Sequence, residues 1–432
     1  MEKLMQYVWQ HRLWLQQDMR TVDGRRVQVL DPGLLNTDAG PDFFNAKVNI
    51  DGHTWAGNIE IHVKASDWHR HGHDKDPAYD TVILHVVDRD DAVVRRPDGE
   101  VIPQLRMPCA GDLSEHYRNL VGRADIDLPC SATICSLPRI YVTDWLSTLA
   151  YERLYDKADR IEALRERFAG DWEQTCYVTV ARCLGFGVNN EPFERLALSV
   201  PLQFVGKHSD DPTAIEALLF GQAGLLDGHG AGADPYGDRL RKEYTFLATK
   251  FGLRKPESLG WKMARMRPAN FPHRRIAVLA AMLAGGFRML QRVVSVKSVD
   301  EACELFSPEM PNYWQWRYSF GPGGQRQLGS LSRSSALIMV INVVAPLMMA
   351  YGTAHSDREM TDRAVSLLHD IGSERNSIVE MFARAGLKVS NAFESQALIQ
   401  LRRAYCETRK CLYCRVGHRM LSAKAIRRDQ KS

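Results

Sequence analysis

Two neighbouring stretches in which apolar and polar residues alternate constrain the fold of this chain more than any other feature. The first runs from Phe43 to Ile50 and the second from Trp55 to Lys64, with Asp51-Gly52 between them. A period of two is that of a β-strand with one buried face, and Asp-Gly between two such runs predicts a hairpin. The nearly continuous apolar run from Thr81 to Val87 predicts a central buried strand. The N-terminal part is therefore predicted to be a small sheet domain.

A change of pattern near residue 140 predicts a second, helical part. Residues 140–168 have apolar side chains spaced for one buried helix face, and further helical patterns continue to about residue 405. The predicted fold class is α+β, with a small N-terminal mixed αβ domain followed by a larger all-helical domain. The predicted boundaries are a β-rich domain over 1–110, a linker over 111–139 and a helical domain over 140–432 that carries a C-terminal cysteine motif.

Composition indicates an ordinary globular protein, with 45% hydrophobic and 25% charged residues. The net charge of +4 is too small to identify a partner, and nine scattered cysteines favour a reducing cytoplasm over a disulfide-stapled secreted fold. Residues 334–354 lack charge and are long enough to cross a membrane, but they contain Asn342 and Pro346. We interpret them as a buried helix kinked at Pro346, with no membrane partner. The sequence carries no signal for the oligomeric state.

Asp42 and Glu60 are the candidate catalytic acids. A hairpin of this length can place Asp42, at the start of one strand, beside Glu60 on the next. Two buried carboxylates repel each other, and a divalent cation offsets that repulsion. We therefore predict Mg²⁺ or Mn²⁺ bound by Asp42 and Glu60, with His62 or Lys64, on the same strand face, assisting catalysis.

Two other interpretations of this segment stay open. Asp42 can simply end its strand, while Glu60, His62 and Lys64 form the wet face of a half-exposed sheet. Alternatively, the histidines concentrated between His53 and His85, especially those around His71 and His73, form the site of a transition-metal hydrolase, since neutral imidazoles suit Zn²⁺, Mn²⁺ or Fe²⁺.

The order of these elements resembles the core of the PD-(D/E)XK nuclease superfamily, which is a helix, three antiparallel strands, a helix and a fourth strand. The helices would be 2–15 and 65–76, and the fourth strand Thr81–Val87. The resemblance implies a metal-dependent nuclease acting on DNA or RNA. The chain departs from the motif where the usual lysine, two residues after the second acid, is His62, and Lys64 would have to replace it. A non-catalytic nucleic-acid-binding or scaffold protein with a degenerate nuclease fold is the alternative.

An arginine-rich segment in the helical part is the candidate nucleic-acid interface. Arg265, Arg267, Arg274 and Arg275 surround two prolines, and guanidinium groups on a rigid loop suit phosphate contacts. The aromatic residues at 314–318 would supply stacking surfaces. The alternative is that these arginines pair between helices and that the aromatic residues fill the core.

A cysteine motif near the C-terminus predicts a structural metal site. Cys406, Cys411 and Cys414 are spaced C-x₄-C-x₂-C, with His418 four residues further on as the nearest fourth ligand. We predict Zn²⁺ there, or an iron–sulfur cluster because ferredoxins share these spacings. Four distant cysteines could replace His418 as the fourth ligand, namely Cys109, Cys130, Cys135 and Cys303. Buried free thiols are the alternative.

Taken whole, the chain resembles the bacterial family catalogued as domain of unknown function 2851. The residues that carry this likeness are Asn36-Thr37-Asp38-Ala39-Gly40-Pro41-Asp42-Phe43, Gly57-Asn58-Ile59-Glu60-Ile61-His62, Asp67-Trp68, His71-Gly72-His73, Leu84-His85-Val86-Val87 and the cysteine end. The likeness covers nearly the full length and implies no activity.

Overall fold

The computed structural model describes residues 1–14, 18–36, 38–96, 98–108, 114–115, 117–118, 128–227 and 234–420. The chain folds into two compact units. The first contains residues 1–145, Phe382–Leu387 and the chain from Leu401 onward, and the second contains Leu146–Met381 and Lys388–Gln400. The fold is α+β, with a mixed sheet near the N-terminus and a largely helical remainder.

The first unit is built on a mixed sheet that follows helix α1 (Glu2–Gln10). Its strands are β1 (Met19–Arg20), β2 (Arg26–Asp31), β3 (Leu34–Leu35), β4 (Phe43–Ile50), β5 (His53–Lys64), β6 (Val82–Arg89) and β7 (Gln104–Arg106). Among the described residues the sheet order is β1-β2-β4-β5-β6-β7, with β3 also paired to β4. Strands β2, β4 and β5 are antiparallel, whereas β6 runs parallel to β5 and β7 parallel to β6. The parallel step from β5 to β6 requires a crossover, which contains helix α2 (Asp67–Arg70).

The β4–β5 hairpin forms where the alternation predicts it. Ile50 pairs with His53 across the turn. The two turn residues, Asp51 and Gly52, have φ values of 48° and 86°, the left-handed pair that a two-residue hairpin turn requires. Val48 and the other residues of β4 that point inward are buried, which fixes the register because a slip by one residue would expose them.

Helix α1 and one C-terminal residue complete the core of this sheet. Leu4, Val8 and Trp9 of α1 are buried with residues of β4, β5 and β6. Leu412 belongs to the same cluster. The described residues 401–420 thus group with the first unit, whereas the sequence-based boundaries place them in the helical domain over 140–432.

The remaining α-helices follow along the chain, and most of them belong to the second unit. They are α3 (Ser131–Ile134), α4 (Arg139–Arg167), α5 (Trp172–Leu184), α6 (Asn190–Ser199), α7 (Leu202–Gly206), α8 (Pro212–Gln222), α9 (Pro235–Phe251), α10 (Pro272–Leu283), α11 (Met289–Ser295), α12 (Val299–Glu304), α13 (Arg333–Met339), α14 (Ala345–Ala354), α15 (Arg358–Asp370), α16 (Ser377–Arg384) and α17 (Ala392–Gln400). Of these, α3 belongs to the first unit, and α4 and α16 each cross a boundary between the units.

The uncharged segment at 334–354 forms a helix interrupted by a π-turn. Val340–Val344 is π-helical and directly precedes α14, in which Pro346 occupies the first turn. Proline has no N–H to donate, so a carbonyl one turn earlier needs another donor. Lys157 donates to the carbonyl of Ile341 at 3.3 Å and to Asn342 Oδ1 at 2.9 Å. Among the described residues this is the one helix long and apolar enough to span a membrane, by length and composition only, and 72% of its most apolar window is buried.

Candidate metal centre in the N-terminal sheet

Asp42 and Glu60 meet where β4 begins beside β5. Glu60 Oε2 accepts the backbone N–H of Asp42 at 3.0 Å, and Asp42 Oδ2 accepts the backbone N–H of Ile61 at 3.0 Å. Each carboxylate thus binds the strand that carries the other. Gln6 of α1 donates its amide to Asp42 Oδ1 at 2.8 Å and fixes the second oxygen. The structure therefore brings together the two acids that the hairpin was expected to join.

Burial makes this pair of acids costly to ionise. The pKa of Asp42 is raised to about 7 by burial and then by the charge of Glu60. The pKa of Glu60 is raised to about 8, again chiefly by burial. In the described part of the chain neither acid has a lysine or arginine partner. A cation held between them would remove this cost.

Imidazoles surround the other oxygen of Glu60. Nε2 of His62 and Nε2 of His73 each lie 3.4 Å from Glu60 Oε1. Ring nitrogens of His62, His71 and His73 all lie within 4.8 Å of one another. His62 comes from β5, whereas His71 and His73 flank Gly72, whose φ of 77° belongs to the left-handed region. This backbone turn brings two histidines from the crossover to a third on the strand.

Burial favours the neutral form of three of these imidazoles, which are His62, His73 and His85. Burial lowers the pKa of His62 to about 2 and that of His85 to about 3, with neighbouring imidazoles contributing. His73 also has a lowered pKa because of burial, and its ring stacks on Tyr79 with 3.8 Å between centroids. Only neutral imidazole can ligate a metal. His71 is exposed, so the cluster opens to solvent at that side chain.

Lys64 lies outside this cluster. It ends β5 with an exposed side chain, while its backbone N–H donates to Asp67 Oδ2 at 3.2 Å. Glu60 and His62, on the same strand, are 5% and 1% exposed. The predicted assistance by Lys64 is therefore corrected, because Lys64 shares the strand face of Glu60 and His62 but lies at the exposed end of β5.

The cysteine motif faces Cys130 instead of His418. Cys406, Cys411 and Cys414 line one small cavity together with Cys130. His418 is directed elsewhere, with its Nδ1 2.6 Å from the hydroxyl of Tyr7. Of the other candidates, Cys135 donates to a backbone carbonyl at 2.7 Å, Cys303 belongs to the second unit and Cys109 lies outside the described residues.

The four arginines of the predicted nucleic-acid interface separate into two kinds. Arg274 and Arg275 are 2% and 3% exposed. Arg274 donates to the carbonyls of Trp314 and Gly329, and Arg275 donates to Asn270 Oδ1 at 2.6 Å. The assignment of these two to phosphate contact is corrected, since their donors hold loops inside the protein.

The other two arginines of this segment remain accessible to solvent. Arg265 and Arg267 are exposed, as are the side chains of Trp316 and Tyr318. Trp314, also considered for base stacking, is fully buried.

Of two residues that contact the candidate metal centre, the sequence gives no indication of Gln6 and includes His85 only among the clustered histidines of the alternative interpretation. Gln6 looks like an ordinary polar position of an amphipathic helix, and only the packing of α1 shows its contact with Asp42. His85 reads as a core residue of an apolar strand, yet its Nε2 lies 2.9 Å from Nδ1 of His62. A histidine within the apolar run 82–87 was the available signal.

The fold and the site define a class of protein: a mixed-sheet domain with a carboxylate–imidazole cluster, continued by a helical unit. The chain belongs to the family described as Protein of unknown function (DUF2851), whose model matches residues 2–377. No curated protein and no solved structure matches it. The matched span contains the whole cluster and Cys130, and it ends before Cys406.

Proposed function

We propose that this chain is a divalent-metal-dependent phosphodiesterase that cleaves nucleic acid at the Asp42–Glu60 cluster. The observation that carries the proposal is a buried Glu60 and a half-buried Asp42 bonded to each other's strands, with two imidazoles 3.4 Å from Glu60 and no lysine or arginine partner in the described chain. A divalent cation would offset the repulsion between these carboxylates, and the neighbouring imidazoles would add nitrogen ligands to their oxygens.

The donor set favours Mn²⁺ or a similar transition ion over Mg²⁺. Magnesium takes oxygen ligands and waters, whereas imidazole suits manganese, iron and zinc. Glu60 Oε1 faces both His62 and His73, so an ion bound there would meet oxygen and nitrogen donors together. Asp42, whose oxygens accept hydrogen bonds from Gln6 and Ile61, would supply a further oxygen ligand.

The proposed chemistry is hydrolysis of a phosphodiester. A bound divalent ion supplies a water of lowered pKa and neutralises the charge that develops on phosphate. His71 is the exposed member of the cluster, and its imidazole would serve as the general base for the attacking water. The element order α1, antiparallel β2-β4-β5, α2 and parallel β6 supports this reaction class through its resemblance to the PD-(D/E)XK core, with His62 at the usual position of lysine.

Nucleic acid is the proposed substrate because the second unit presents suitable exposed groups. Arg265 and Arg267 can contact phosphates, and Trp316 and Tyr318 are 40% and 37% exposed and can stack on bases.

A second candidate function rests on the three histidines. His62, His71 and His73 alone could hold Zn²⁺ as the three protein ligands of a hydrolase with an open fourth position. In the first candidate function Asp42 and Glu60 bind the metal, whereas in the second candidate function they do not.

The experiment that tests the proposal uses purified full-length protein, single- and double-stranded DNA, RNA, and added Mn²⁺ or Mg²⁺. We expect Mn²⁺-dependent cleavage that Glu60→Gln and Asp42→Asn abolish. Asp90→Asn, at an exposed acid of the same unit, is the matched control and should cleave normally. Salt-dependent binding without any cleavage would instead indicate the non-catalytic alternative. Zinc retained in Glu60→Gln and lost from a His71→Ala, His73→Ala double variant would indicate the histidine hydrolase.

A further inference from the structure

Four cysteine side chains from distant parts of the chain converge on one cavity of the first unit. Cys406, Cys411 and Cys414 come from the C-terminal segment, and Cys130 from the chain just before α3. The cavity measures about 20 Å³, and its remaining lining is largely apolar. The eight described cysteines are all free thiols, so no disulfide accounts for this convergence.

Backbone geometry around Cys414 suits a sulfur that carries negative charge. Burial raises the pKa of the Cys414 thiol, and the backbone N–H groups of Gly417 and Val416 act in the opposite direction. N–H donors directed at sulfur are the groups that tune and orient metal-bound thiolates. Gly417 is also sterically required, because a Cβ there would lie 2.0 Å from the carbonyl oxygen of Cys411. The chain is thus folded tightly around these sulfurs.

The four thiols also interact electrostatically. Burial, with a smaller contribution from Cys414 and Cys411, raises the pKa of Cys130 to about 12. The pKa of Cys406 is raised by burial and by the other three sulfurs. Four thiolates so close together would repel one another. The groups are therefore stable either as neutral thiols or as thiolates that bind a cation.

We propose that Cys130, Cys406, Cys411 and Cys414 bind one tetrathiolate metal centre, either a Zn²⁺ ion or an iron–sulfur cluster. Four thiolates complete the closed coordination that both centres require. The C-x₄-C-x₂-C spacing supplies three ligands from one short segment, and Cys130 supplies the fourth. The centre is separate from the Asp42–Glu60 cluster and does not depend on the function proposed there.

Its role is to hold the C-terminal segment in the first unit. Leu412 lies between two of the ligands in sequence and is part of the core formed by α1 and the sheet. A bond from this segment through a metal to Cys130 links two stretches of chain that no disulfide joins. The free energy of metal binding would then contribute directly to the stability of the first unit.

The test is metal analysis of full-length protein purified without oxygen, combined with thiol alkylation. We expect either about one zinc per chain, or iron with acid-labile sulfide and visible absorption; these two results distinguish the two centres. In the native protein the four cysteines should resist alkylation until a chelator removes the metal, whereas the exposed Cys135 should react at once. This protection is read on the wild-type chain, so the test does not depend on a variant that folds.

Variants then assign the ligands. Cys130→Ser should lose the metal, His418→Ala should keep it, and Cys176→Ser, at a buried thiol of the second unit, should also keep it. A protein that contains neither zinc nor iron, with all four thiols reactive in proportion to their exposure, would overturn the proposal. So would metal that persists in Cys130→Ser and disappears in His418→Ala. Loss of manganese-dependent cleavage alone bears on the other site and leaves this one unaffected.

Discussion

Nδ1 of His62 lies 2.9 Å from Nε2 of His85, inside the sheet and away from solvent. For His62 to bind a metal through Nε2, its Nδ1 must carry the proton, and His85 is placed to accept that hydrogen bond. Partners of this kind fix the tautomer and the orientation of a ligating imidazole. His85 is therefore a positioning residue for the candidate metal centre, and its role can be measured.

Replacing His85 should weaken metal binding without removing a ligand. His85→Leu deletes the acceptor for His62 Nδ1, and we expect Mn²⁺ affinity to fall by about 10- to 100-fold. His85→Gln keeps an amide oxygen near that position and should recover part of the loss. Isothermal titration with Mn²⁺ measures both, and circular dichroism checks the fold. Equal losses in the two variants would point to a packing role for His85 in place of positioning.

Removing one acid should cost metal binding and stabilise the metal-free protein. Glu60 is buried and Asp42 half-buried, the two acids repel each other, and neither has a basic partner in the described chain. Glu60→Gln retains an oxygen that can accept the Asp42 N–H, so we expect the chelator-treated variant to gain about 1–3 kcal/mol in free energy of unfolding. Urea denaturation with a chelator present measures this, with Asp90→Asn expected within about 0.5 kcal/mol of wild type. A destabilised Glu60→Gln would mean that the pair is stable without a cation.

We expect the buried arginines to contribute to the stability of the fold and the exposed arginines to contribute to nucleic-acid binding. Arg274→Ala leaves the carbonyls of Trp314 and Gly329 without their donor, and we expect a loss of about 2–4 kcal/mol in unfolding free energy. Arg265→Ala and Arg267→Ala should leave stability unchanged, weaken nucleic-acid binding and each lower the salt-dependence slope by about 1. Thermal denaturation and fluorescence anisotropy at several salt concentrations provide the two readouts. Unchanged binding in the Arg265 and Arg267 variants would remove this loop from the proposed interface.

Glu216 in the second unit should make stability depend on pH. Its Oε2 accepts hydrogen bonds from Trp314 Nε1 and from the Tyr236 hydroxyl, each at 2.8 Å, and burial raises its pKa above the usual 4.5. The folded state therefore holds this proton more tightly than the unfolded state. The stabilisation is complete below pH 4.5 and is lost as the pH rises through the raised native pKa.

Glu216→Gln tests that dependence. The amide cannot ionise and keeps an oxygen acceptor, so the variant should lose less stability than wild type between about pH 5 and about pH 8. Urea denaturation at the two pH values measures the difference. Glu257→Gln, at an exposed acid of the same unit, is the control and should follow wild type.

Local patterns were sufficient to predict the secondary structure around the site. The alternation of apolar and polar residues predicted β4 and β5. Asp51 and Gly52 adopt the left-handed conformations that a tight turn between these strands requires. The long helix expected over 140–168 is Arg139–Arg167. The proximity of Asp42 and Glu60 also followed from local information, because a hairpin brings its own two strands together.

The contacts that the sequence did not reveal join segments that are distant in sequence. Nothing near Cys406 indicates that Cys130, not His418, faces the same cavity. Likewise, the positions of Arg274 and Arg275 on a basic loop predicted exposure, but their side chains turn inward to satisfy backbone carbonyls and an amide. The direction in which such a side chain turns depends on which helices pack together. The periodicity of a single helix contains no information about its neighbours.

The return of residues 401–420 to the first unit matters for anyone who wishes to express the sheet alone. A fragment that stops at residue 110, or one trimmed to the span of the family match at 377, would omit Leu412 and expose the apolar surface against which it packs. Such a fragment would be prone to aggregation, whatever the quality of its strands. A shorter protein that retains the sheet would need residues 401–420 supplied by fusion through a new linker or as a second chain.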